Sequence, residues 1–146
     1  RRCYAAVYFY YQRCRMILQL SLPSTLLEAA ILVFMTFVFV SSGIGHFTNT
    51  KFFLSIMPPM IPYPLFWVYT SAVVELVLVP GLWIKGYRYP AGIALAVFLV
   101  AVFPANIYMA MYPDRFSQFS KTFLYMRLPI QVVLIYLCWW LAKTEL

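Results

Sequence analysis

The most constraining feature of the chain is a set of apolar runs that almost exclude charge: Leu26 to Val40 and Leu128 to Ala142 each hold at most one charged side chain. A helix in water carries charges along its outer face, whereas about 20 apolar residues suffice to cross a bilayer. Of the 146 residues, 64% are hydrophobic and 10% charged, which is more apolar surface than one small soluble core can hide. Lipid must cover the rest. The pattern predicts an all-α polytopic membrane protein, a four-transmembrane-helix bundle forming one domain. The formal charge of +7 sits in short connections between the runs rather than on a soluble basic face, so it points to anionic lipids and not to nucleic acid. Tyr and Trp gather near the run ends, as at Tyr63, Trp67, Trp83, Tyr87, Trp139 and Trp140, where amphipathic rings suit the membrane interface.

Along the chain, residues 1–22 form a basic aromatic segment containing Arg1, Arg2, Arg13 and Arg15 and no acid. Such a segment fits an interfacial position on an anionic membrane, or derivation from a presequence, and either processing or incomplete coverage accounts for the missing initiating Met. Residues 23–146 form the transmembrane domain. Ser24 or Thr25 is expected to cap a first helix running to about Ile44, with Glu28 in its first turn. From His46 to Pro64 the four prolines Pro58, Pro59, Pro62 and Pro64 predict a structured loop. A second helix is expected over about Leu65 to Trp83. After a Gly-Tyr-Arg-Tyr connection, a third follows over about Pro90 to Met111 and a fourth over about Phe123 to Ala142, with Pro129 near its start. The small residues Gly92, Ala96, Ala101 and Ala105 mark a face of the third helix suited to close approach. The side bearing both termini carries seven basic residues against four on the other, which predicts termini facing the cytoplasm, matrix or stroma.

Inside these helices His46, Glu75, Asn106 and Arg127 would be costly in lipid, and Gln131 shares a helix face with Arg127. They are expected to converge on a buried Glu75 to Arg127 pair supported by the other three. Two readings stay open at this point: hydrogen-bonding glue between helices, or a binding or proton-handling site. Pro80 and Pro104 lie close to this cluster and fit either a repaired kink or a cavity between bent helices. One histidine and three unpaired cysteines supply neither bis-histidine haem ligation nor a four-thiolate cluster. No phosphate loop or hydrolase motif is present. Neither a covalently held nor a metal cofactor is therefore predicted and no catalytic residue is assigned, while a bound lipid or quinone has room.

Gly43-Ile44-Gly45-His46-Phe47, Met57-Pro58-Pro59, Glu75, Phe103-Pro104-Ala105-Asn106 and Arg127-Leu128-Pro129 together resemble the DoxX-like family of small four-helix membrane proteins. The resemblance covers about residues 26 to 142; Ser71-Ala72 stands where that pattern usually has Gly, and the basic N-terminus is no part of it. It implies a DoxX-like transmembrane domain over residues 23–146 and carries over His46, Glu75, Asn106 and Arg127 as a structural or quinone-facing cluster. Combined with the small size and the lack of a soluble domain, it leads to the expectation of a non-catalytic accessory subunit. That subunit would be embedded with other membrane-protein subunits in a respiratory electron-transfer complex of the mitochondrial inner membrane, termini on the matrix side. The alternative is a quinone- or lipid-binding redox partner with a buried polar site, which requires a cavity reaching Glu75. A small transporter is disfavoured by the absence of an inverted repeat.

Overall fold

The computed structural model describes residues 22–146 apart from Gln118 and Leu146. The arginine-rich segment up to residue 21, and with it the expectation of an interfacial or presequence-derived N-terminus, lies outside the described residues. Thr25 is extended and its hydroxyl accepts from the Glu28 amide at 3.1 Å, starting α1 (Leu26–Thr48). Glu28 reaches back to accept from the amide and hydroxyl of Ser24, each at 2.8 Å, so Thr25 and Glu28 cap the helix start reciprocally. Of the stretch expected as a loop from His46, the first three residues belong to α1 and Thr50–Ser55 form a six-residue helix, α2, before the chain turns irregular. Pro64, which has no amide to leave unpaired, then occupies the first position of α3 (Pro64–Gly81).

Two further helix starts lie ahead of their expected positions, each for a local reason. Arg88, expected in the connection, opens α4 (Arg88–Met111), because Gly86 takes a left-handed conformation at φ 83° and closes the turn two residues earlier. Ser120, whose hydroxyl accepts from the Phe123 amide at 3.2 Å, starts α5 (Lys121–Lys143) ahead of the expected Phe123. Pro129 therefore lies eight residues into α5, past the first turn, and leaves the Tyr125 carbonyl without its helical donor. A short 3-10 turn, Pro113–Phe116, joins α4 to α5.

Among the described residues α1, α3, α4 and α5 are each long and apolar enough to cross a membrane. They form a ring: α1 packs on α3, α3 on α4, α4 most extensively on α5, and α5 returns to α1. Close approach of α4 and α5 depends on Gly92, where an added Cβ would fall 2.8 Å from the Cys138 carbonyl and 2.9 Å from the Ala142 Cβ. Gly92 and Ala96 are thus the interfacial pair of the small-residue stripe; Ala101 is exposed and Ala105 half-buried. The outer faces stay apolar, with Phe37, Val77, Val97 and Val132 more than half exposed, as lipid-facing side chains would be.

Two apolar cores result. The larger gathers Leu32, Met35, Phe39, Leu82, Leu95, Leu99 and Leu141 towards the end where α1 begins and α5 finishes. The smaller joins Ile56, Met109, Phe116 and Leu124 at the opposite, loop-bearing end. Between them the packing opens.

Candidate functional site

Helical spacing sends a polar stripe from each long helix into that opening. Ser42 and His46 stand four apart on α1, Ser71 and Glu75 four apart on α3, and Arg127 and Gln131 four apart on α5, with Asn106 on α4. All of them line one cavity of about 220 Å³, whose apolar wall includes Phe39, Phe53, Phe98 and Leu134. The five residues expected to converge, His46, Glu75, Asn106, Arg127 and Gln131, are therefore brought to a single space.

Their pairing differs from expectation. The described ion pairs are Glu28 with Arg88 and Lys121 with Asp114, and Glu75 is not joined to Arg127. Glu75 sits on α3 and Arg127 on α5, which are diagonal in the ring, so the cavity separates them. Glu75 is 5% exposed; its Oε1 accepts from the Ser42 hydroxyl at 3.2 Å, and its Oε2 is buried with no hydrogen-bond partner among the described residues. Arg127 is half-buried and directs a guanidinium nitrogen to the Met109 sulfur at 3.0 Å, a weak acceptor for so strong a donor.

On the α4 and α5 side the polar groups satisfy one another. Asn106 donates its amide to Gln131 Oε1, and Gln131 donates to the Leu99 carbonyl at 2.7 Å. Leu99 immediately precedes Val100, whose carbonyl loses its helical donor to Pro104, so the bond from Gln131 falls one residue before the orphaned carbonyl. Asn106 and Gln131 thus tie α4 to α5 while lining the cavity. His46 is buried, its Nδ1 lies 2.9 Å from the Val68 carbonyl, and its ring stacks on Phe53 with centroids 3.8 Å apart. A carbonyl only accepts, so Nδ1 carries a proton and donates it to Val68.

Sequence reasoning missed Ser42 and Ser71, although each precedes a named residue by four positions on the same helix. It also missed a second buried polar cluster, at the other end. There the Arg88 guanidinium pairs with Glu28 and donates from Nε to the Leu82 carbonyl at 2.9 Å. The Thr144 hydroxyl donates to Glu28 at 3.3 Å. Glu145 accepts from the amides of Gly86 and Tyr89 at 2.6 and 3.1 Å, drawing the end of the chain onto the same turn. That end is closed by ion pair and cap, whereas the cavity lies towards the loop end. Among the described residues no group of three His, Cys, Asp or Glu side chains gathers to hold a metal ion.

Fold and cavity together define a multi-pass membrane protein with a polar-lined space inside its helical bundle. The chain belongs to the family described as a domain of unknown function (DUF8561), whose model matches residues 35–142. The match takes in every polar residue of the cavity and stops short of Glu28 and Thr144. No curated protein matches the chain, and no solved structure does.

Proposed function

We propose that this protein binds a membrane-soluble molecule with a polar head, a lipid or a quinone, in the cavity between its four helices. The observation that carries this reading is Glu75, a buried carboxyl side chain that lines the cavity and whose Oε2 has no hydrogen-bond partner among the described residues. Nearly all buried polar groups are hydrogen-bonded, because leaving one unpaired costs about 1 to 3 kcal/mol. A group left so in the wall of a space large enough for a ring is a binding-site feature rather than a packing device. The resemblance to DoxX-like proteins supports a redox setting for such a molecule, and with it membership of a respiratory assembly in the mitochondrial inner membrane.

The test is purification of the native protein in mild detergent, with mass spectrometry of both the extracted small molecules and the comigrating proteins. Binding predicts one membrane-soluble species recovered at near-stoichiometric level from the native protein and lost from Ala105→Phe, which fills the cavity. Stoichiometric recovery within a large electron-transfer complex, with nothing bound in the cavity, would replace this reading with that of a non-catalytic accessory subunit. Glu75→Gln separates the same two cases: a scaffold still assembles, and a ligand site is impaired.

A further inference from the structure

We infer, resting on the reading that the cavity binds a membrane-soluble molecule, that Arg127 holds the head of that molecule and that this head is an oxyanion, a carboxylate or a phosphate. A guanidinium keeps its charge in any surroundings, and a charge at membrane depth is costly unless it is paired. The chain has four acidic side chains, and each is engaged away from Arg127. Glu28 is taken by Arg88, Asp114 by Lys121, Glu145 by the amides of Gly86 and Tyr89 at the closed end, and Glu75 by the Ser42 hydroxyl. The described contact of Arg127 runs to the Met109 sulfur at 3.0 Å, and a thioether carries no charge. A counter-charge must therefore come from outside the fold. Arg127 is also open where Glu75 is sealed. Among the described residues the sealed side-chain atom without a partner is Glu75 Oε2, so the guanidinium nitrogens that make no bond keep accessible surface.

The lie of the cavity along α5 fits an amphiphile with such a head. Arg127 stands six residues beyond Lys121, the first residue of α5, or about 9 Å from the loop end at the helical rise. Ile130 and Leu134 follow it at three and seven positions on the same face and line the same cavity, so charged surface gives way to apolar surface with depth. Ile130 is also half exposed, which makes the cavity wall there continuous with the lipid-facing side of α5. A carboxylate or phosphate presents two oxygens to the planar fork of a guanidinium, a match that a hydroxyl or a carbonyl lacks. Either group is smaller than the benzene that a cavity of roughly 150 Å³ holds, and about 220 Å³ is present.

The experiment counts adducts by native mass spectrometry on the whole chain released from dodecyl maltoside, a detergent without an ionic group. Four probes are compared: dodecanoate, dodecyl phosphate, dodecanol and dodecylamine. Site binding is the difference between wild type and Ala105→Phe, with Ser71→Phe as a second cavity-filled variant should the first misfold. The better of the two anions should bind about tenfold more tightly than dodecanol, as a charge-assisted bond to an unpaired cation implies. Arg127→Gln should bring the anions within about twofold of dodecanol while dodecanol still binds, and Arg127→Lys, with the charge but not the fork, should restore part of the preference. Inorganic phosphate separates the sources of the anion. Failure to displace dodecyl phosphate at equal concentration supports a lipid head, whereas displacement keeps the oxyanion site but makes its ligand a free anion and overturns the membrane-soluble reading. Equal binding of anions and dodecanol to wild type, or an anion preference that persists in Arg127→Gln, overturns the inference and leaves the cavity reading standing. Tighter binding of dodecylamine overturns it in favour of a cationic head. If no probe distinguishes wild type from the filled variants, the inference and the cavity reading fall together.

Discussion

Glu28 and Arg88 lie sixty residues apart in sequence and meet at the closed end of the bundle, 3% and 1% exposed. Withdrawing two charges from solvent is expensive, so such a pair adds little net stability over a well-packed apolar pair, yet losing one partner strands the other. Here the stranding is severe, because Glu28 also holds Ser24 and Thr144 while Arg88 also holds the Leu82 carbonyl. Glu28→Leu or Arg88→Met alone should therefore destabilise the protein by about 3 to 5 kcal/mol, and the double variant should recover most of that loss. Cys138 supplies the readout, since it is fully buried and reacts with a thiol dye only on unfolding; Cys3 and Cys14 are changed to Ser beforehand. Equal losses in the double and the single variants would show that each residue acts through its other contacts and not through the pair.

Among the elements, α4 and α5 form the tightest pair, and their separation is set by one hydrogen atom at Gly92. Replacing a helical Gly by Ala ordinarily stabilises by up to about 1 kcal/mol, through propensity and the unfolded chain. At Gly92 the new methyl group meets the Cys138 carbonyl at 2.8 Å, a backbone atom that cannot swing aside. At Gly43 the corresponding contact is the Leu76 Cγ at 2.8 Å, the middle of a side chain able to change rotamer. Gly92→Ala should accordingly cost about 1 to 3 kcal/mol and Gly43→Ala distinctly less, as measured by the same thiol-protection unfolding. The existence of these helices was legible in the apolar runs, since a bilayer demands length and apolarity and little else. Their ends were not, because caps at Ser120 and the left-handed Gly86 shift boundaries by a few residues without changing the apolar pattern. The convergence of His46, Glu75, Asn106, Arg127 and Gln131 was readable from depth along each helix. Their partners were not, because pairing depends on which helices are adjacent around the ring, and depth says nothing of that. Glu75 and Arg127 are at compatible depths on diagonal helices, while Glu28 and Arg88, assigned to the interface and to a loop, are the pair that forms.

For the whole molecule, the two ends of the bundle are built differently, and sidedness in the membrane follows from charges the fold does not fully use. At the closed end Arg88 is buried against Glu28, leaving Lys85 and Lys143 exposed; at the loop end Lys51, Arg115 and Lys121 are exposed and Lys121 pairs with Asp114 at 3.2 Å. Insertion nevertheless counts Lys and Arg near the spans, with little weight for acids, so Arg88 still contributes when topology is chosen. With Arg1, Arg2, Arg13 and Arg15 the closed end leads by seven basic residues to four; without them the balance is three to four. The expectation that both termini face the cytoplasm, matrix or stroma therefore rests on those four arginines, and it predicts a particular failure. A cysteine placed at Lys85 should be shielded from an impermeant thiol reagent added outside, while one at Asp114 should be labelled. Changing the four arginines to Gln should yield a mixed population in which both positions label in part. Unchanged labelling in that variant would show that α1 and its Glu28 cap set orientation without help from the N-terminal segment. Full labelling at Lys85 in the unaltered protein would invert the proposed topology and place the cavity, which lies towards the loop end, on the matrix or cytoplasmic side instead.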